Sequence, residues 1–154
     1  MSYYNADGLY VLTNGDQGSV NDKGLNTCSD IKTLVVDVDL ETDISPKATD
    51  PFIPAGSYIK SATAVVTEAA AGGTSVNIGL SSLSSAGVAS AIDADGIDAG
   101  VLTAALAANL AVVCNGALVG GTAGIGAANA YVTTAATGTF TAGKFKLVIE
   151  YIEV

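Results

Sequence analysis

Apolar and polar residues alternate with a period of two along several stretches of this chain, the signature of strands with one face buried. Leu34, Val36, Val38 and Leu40 alternate with Val35, Asp37 and Asp39. Val76, Ile78 and Leu80 repeat the pattern, and Lys144 to Ile152 carries it most clearly. There Phe145, Leu147, Ile149 and Tyr151 fall on one face, and Lys144, Lys146, Val148 and Glu150 on the other. Ser57 to Glu68 is dense in β-branched residues, which favour a pleated surface. Val88 to Ile92 and Asn129 to Ala136 add two more candidate strands.

Turn chemistry separates these runs. Pro46, Pro51 and Pro54 make residues 43–54 a loop, and Ala71-Gly72-Gly73 turns the chain. Asn115-Gly116, between Leu110–Cys114 and Ala117–Val119, predicts a tight hairpin. Residues 120–128 form a glycine-rich loop. The one helical signal is Val101 to Ala108, rich in Ala and Leu, with Asp98 placed to cap it or to sit in its first turn. The expectation is an all-β fold: an antiparallel β-sandwich or jelly roll of about eight short strands with one short helix near 101–108. No segment of 20–50 residues repeats, so a solenoid or propeller is not expected.

Residues 1–30 differ from the rest. They are rich in Asn, Asp and Gly and carry one short apolar run, Leu9-Tyr10-Val11-Leu12. Asn14 to Gly18 reads as a tight turn. This segment is expected to be an N-terminal extended arm with a hairpin, and residues 31–154 a single β-sandwich domain. Tyr3, Tyr4 and Tyr10 are the interface candidates, because tyrosine is enriched in interface cores; a flexible tail is the competing reading.

Composition narrows the function. The chain has 154 residues, 15 Asp and Glu against 6 Lys, no His and no Trp, and a net charge of −9. Such acidity excludes affinity for a phosphate backbone as a main activity, so no nucleic-acid partner is expected. Ala, Gly, Thr and Ser fill 71 of the 154 positions, a composition suited to close packing of sheets and of neighbouring copies. Residues 99–143 carry no charge at all, yet Ala and Gly dominate them and Asn109 and Asn115 interrupt them. They do not read as a membrane span, which needs about 20 strongly apolar residues. A region that folding or a symmetric partner covers is the better reading, hence an expected homo-oligomer, trimer or dimer. Residues 1–7 lack the cationic and apolar regions of a secretory signal. Cys28 and Cys114 are therefore expected as free thiols in a reducing cytosol.

Candidate chemistry is sparse. Gly138 to Lys144 matches seven positions of a phosphate-binding loop, but the eighth is Phe145, which cannot ligate magnesium, and Lys144 opens a strand where that loop opens a helix. Gly124-Ile-Gly126 is half of a dinucleotide fingerprint leading toward a strand. Both are expected to be plain loops. Asp93, Asp95 and Asp98 are a weak calcium candidate, because closely spaced carboxylates on a tight turn supply oxygen ligands. The spacing departs from that of an EF-hand, and a solvated loop whose last aspartate caps the helix competes with it. Without histidine, neither a serine nor a cysteine nucleophile has its usual base. No catalytic residue, no cofactor and no enzymatic activity are expected.

A resemblance adds to this reading. The succession Ile53-Pro-Ala-Gly-Ser-Tyr-Ile59, Ala64 to Leu80, Ile92 to Asp98, Gly116-Ala-Leu-Val-Gly120 and Phe140 to Ile152 resembles small structural proteins of tailed bacteriophages. Those of short-tailed, T7-like phages of marine bacteria are the most similar in kind. It covers roughly residues 50–152, and its motifs are strands and turns with no binding signature. The resemblance implies a capsid decoration (cement) protein, made in the host bacterial cytoplasm and sited on the capsid exterior, with the major capsid protein as partner. A head-fibre or tail module binding a host surface or glycan is the alternative.

Overall fold

The computed structural model describes residues 31–153 and, N-terminal to them, the backbone of two short strands, β1 (Tyr3–Tyr4) and β2 (Tyr10–Val11). The contacts divide the chain into Met1–Asp30 and Ile31–Val154. In the first unit β1 and β2 pair antiparallel, Tyr3 opposite Val11 and Tyr4 opposite Tyr10. The turn expected at Asn14–Gly18 lies outside the described residues.

The second unit is an all-β sandwich. Its strands are β3 (Ile31–Asp39), β4 (Tyr58–Gly72), β5 (Ser75–Leu83), β6 (Ala89–Leu102), β7 (Ala111–Val113), β8 (Tyr131–Thr137) and β9 (Phe140–Ile152). They form two antiparallel sheets, ordered β3-β9-β4-β7 and β6-β5-β8. Seven strands in sheets of four and three make a sandwich and not the two four-stranded sheets of a jelly roll.

The period-two pattern decides which faces meet. Leu34 and Val38 of β3, Ala62, Ala64 and Val66 of β4 and Phe145, Leu147 and Ile149 of β9 point inward. Val76, Ile78 and Leu80 of β5 meet them from the other sheet, joined by Ile97, Val101 and Val132 in one hydrophobic cluster. Each large aliphatic or aromatic side chain buried there contributes about 1.5–3 kcal/mol. Three strands exceed ordinary length, β4 with 15 residues, β6 with 14 and β9 with 13. Bulges in the β4–β9 and β5–β6 ladders allow this by bending the strands and increasing their twist.

Chain reversals follow the turn residues at two corners. Gly72 and Gly73 both have positive φ and carry the chain from β4 into the opposite sheet, where Gly73 N–H donates to Thr139 O. Gly138, also at positive φ, returns it from β8 to β9, so of the apparent phosphate loop only Gly138 and Thr139 form a corner between sheets, and Phe140 to Lys144 open β9. The glycine-rich 124–126 segment is a loop whose Ile125 N–H donates to Ser57 O.

Three local expectations are corrected. The helix near 101–108 is one 3-10 turn, Thr103–Ala105; Val101 and Leu102 finish β6. Val101 is buried in the inter-sheet core, and this packing outweighs the modest helix propensity of an alanine-rich run. The acidic run 93–98 is not a loop but part of β6. Five residue steps from Asp93 to Asp98 face two steps from Leu80 to Ile78, so the excess bulges out. The Asn115-Gly116 hairpin does not form. Gly116 N–H donates to Ile97 O and Leu118 N–H to Gly96 O, which ties this segment to the β6 bulge. Val119 instead bridges Ile59 in parallel.

Candidate contact surface

The outer face of the four-stranded sheet is built by the residues that alternate with the core. Opposite partners in adjacent strands line up as rungs. Val35, Val148, Thr63 and Val113 form one rung across β3, β9, β4 and β7. At the usual strand spacing it runs about 14 Å. Val113 is 74% exposed and Val35 49%. The next rung holds Asp37, Lys146, Val65 and Ala111, and Val65 is 41% exposed. This sheet face therefore shows water a strip of β-branched apolar side chains.

Charges bracket the strip. Lys146 Nζ lies 2.6 Å from Asp37 Oδ1, and Lys144 Nζ lies 3.5 Å from Asp39 and 3.8 Å from Glu68. On the other side Ser61 Oγ donates to Glu150 Oε2 at 2.7 Å, in the rung that Thr33 completes. All these groups are cross-strand neighbours, so the sheet register alone sets the apolar strip inside a polar frame.

The carboxylates expected to hold calcium are dispersed. Asp93 Oδ1 accepts from the Asp95 backbone N–H. Asp98 is buried beside the Ala99 amide and the Cys114 thiol. Burial pushes its pKa above the ordinary carboxylate value, against the opposing effect of these two neighbouring donors. Among the described residues no group of three or more His, Cys, Asp or Glu converges as a metal site. The β6 bulge is the cause: it buries Asp98 beside Ile97 while Asp93 and Asp95 stay outside the core.

Tyr3, Tyr4 and Tyr10 lie in the β1–β2 pair, and their side chains fall outside the described residues, as does Cys28. Cys114 is a free buried thiol, pushed up to about 12 first by burial and then by the adjacent Asp98 charge. No helix among the described residues is long and apolar enough to cross a membrane.

The apolar rung was missed in the sequence, although it left a signal. Val148 sits on the polar side of β9 between Lys146 and Glu150, and Val35 sits on the polar side of β3. An apolar residue in an outward position is ordinary alone; four strands had to be aligned before the two became one strip. No protein family, curated protein or solved structure matches this chain.

Proposed function

We propose that this protein is a non-enzymatic virion structural protein that decorates the outer capsid shell and stabilises it by bridging major capsid subunits. The observation that supports this reading is the rung Val35–Val148–Thr63–Val113, exposed at its two ends and half-buried between, within its frame of charges. A strip of that kind suits contact with another protein surface, since apolar area gains free energy when covered and the charged rim fixes orientation. The sequence resemblance supplies the identity of the partner. A net charge of −9 is compatible with a place outside the shell, where no nucleic acid has to be bound. In this reading the protein binds the assembled shell and not free subunits, so mass action opposes rupture. Self-association as a trimer or dimer belongs to the same reading.

The experiment uses expanded capsids lacking the protein. Wild type is expected to co-sediment at a fixed stoichiometry and to raise the rupture temperature. Val113→Asp, a change at an exposed edge residue, is expected to fold normally and to lose that binding. Failure of the wild type to sediment with capsids overturns the proposal, and binding to a glycan array in its place points to a head-fibre or tail module.

A further inference from the structure

The four sheet edges of the sandwich are not treated alike. β7 is three residues long. β6 is covered at Gly96 and Ile97 by residues 116–118. β8 is covered by the 41–54 loop: Ala136 N–H donates to Asp43 Oδ1 at 2.9 Å, Ile44 N–H to Thr134 Oγ1 at 2.8 Å, and Ile53 bridges Ala130. Among the described residues β3 presents a nine-residue edge whose ladder to β9 runs without a bulge, and it is left uncovered at Val35 and Asp37. Natural sheets blunt such edges unless they use them.

The direction of the backbone groups follows from one bond. Leu40 N–H donates to Gly143 O across the ladder at 2.9 Å. In an antiparallel pair the bonded positions alternate, so Val38, Val36 and Leu34 also point to β9, and Asp37, Val35 and Thr33 point away from it. Among the described residues no hydrogen bond reaches the outward N–H and C=O groups of Val35 and Asp37. Beside them lies a groove of about 360 Å³ lined by Val36, Ile44, Asp50, Pro51, Tyr131 and Val132. Phe52 packs on the Tyr131 ring with centroids 5.6 Å apart. The rim is acidic at Asp37 and Asp50, two of the residues that line it.

We propose that the β3 edge and this groove form a strand-addition site for an extended basic segment of a partner protein. The unused N–H and C=O groups of Val35 and Asp37 extend the sheet by one strand. Alternate side chains of the incoming strand then enter the groove between Tyr131 and Ile44, and its lysines or arginines meet Asp37, Asp50 and the acidic rim. This site stands on the geometry of β3 and goes beyond the capsid reading; it does not require it.

The probe is a blocked heptapeptide alternating lysine with valine and threonine, compared with its glutamate counterpart, on the full chain. Residue-resolved amide exchange gives the first readout. In the free protein the Val35 and Asp37 amides are expected to exchange fast while Val36 and Val38 are protected. Adding the lysine peptide is expected to slow Val35 and Asp37 about tenfold or more, and the glutamate peptide to leave them unchanged. Val35→Pro removes a donor that β9 does not use, so it is expected to fold and to weaken binding at least about tenfold. Asp37→Asn with Asp50→Asn keeps every backbone group and is expected to weaken only the lysine peptide, and to make its binding less sensitive to salt. The proposal is overturned if neither peptide slows these amides, if both do equally, or if Val35→Pro binds like wild type. It is equally overturned if Val35 is already protected without peptide. Protection that rises with protein concentration would make a second copy the occupant, and constant protection would make it the chain itself.

Discussion

The Asp98 carboxylate and the Cys114 thiol are buried neighbours, and Cys114 Sγ donates to Val112 O at 3.9 Å. Asp98 belongs to β6 and Cys114 directly follows β7, and among the described residues neither has a cation paired with it. Burial raises the cost of ionising both; the Asp98 charge adds to that cost at Cys114, whereas the neighbouring thiol eases it at Asp98. The thiol is accordingly held up at about 12, against 9.0 for an ordinary cysteine here.

A loss of stability in alkali follows from that shift. Since the folded-state pKa is the higher one, the folded protein keeps its proton where the unfolded chain releases it. The contribution of Cys114 is complete below about pH 9 and is lost as pH climbs toward 12. Thermal melts across this range should fall more steeply for wild type than for Cys114→Ala. Parallel curves would show that the thiol does not carry the effect.

Asp98 acts at the other end of the scale. Its folded pKa lies above 3.8, so the folded state binds the proton first and stability rises as pH falls toward that value. Asp98→Asn keeps the size and a polar oxygen of the side chain and removes the charge. It should change stability at pH 7 by no more than about 1 kcal/mol and flatten the acid-side dependence in urea titrations.

Ser57 presents the opposite case. Its hydroxyl is buried without a hydrogen-bond partner among the described residues, although its backbone N–H donates to Pro54 O and its carbonyl accepts from Ile125. Ser57→Ala deletes an unpaired polar atom and leaves the backbone bonds. It should stabilise the protein by about 1 kcal/mol, seen as a higher urea midpoint with unchanged slope.

Gly116 lies against the Gly96–Ile97 backbone, and a Cβ there would collide with the Gly96 carbonyl. Gly116→Ala should therefore cost about 1–3 kcal/mol by the overpacking mechanism, and weaken the bonds from Gly116 and Leu118 to β6. Faster amide exchange at Leu118 is the local readout; an unchanged melting temperature would refute the close approach.

Surface ion pairs should matter less. Lys146 is 52% exposed and Asp37 79%, so Lys146→Ala is expected to cost less than about 1 kcal/mol. High salt should abolish the difference between the two proteins in urea unfolding.

Much of the fold was legible because β-strand burial is written at every second position. Phe145, Leu147, Ile149 and Tyr151 were assigned to the core face of β9, and all four are buried. Leu34, Val38 and Leu40 behave likewise, and the Gly72-Gly73 turn stands where its residues put it. The errors fell where propensity and tertiary pairing disagree. Ala and Leu at 101–108 favour helix, and Asn115-Gly116 favours a hairpin, but both preferences are weak beside the burial of Val101 and the bonds to the β6 bulge.

By itself the sequence determined an acidic all-β sandwich and which face of most strands is dry, because a two-residue repeat fixes the buried side before any partner is known. Only the tertiary structure decided which strands are neighbours. That choice put Val35, Val148, Thr63 and Val113 on one rung, sent Asp98 inward to Cys114 and left β3 with an open edge. The physical reason is that strand order and register join residues more than 100 positions apart, and no local pattern of side chains encodes that pairing.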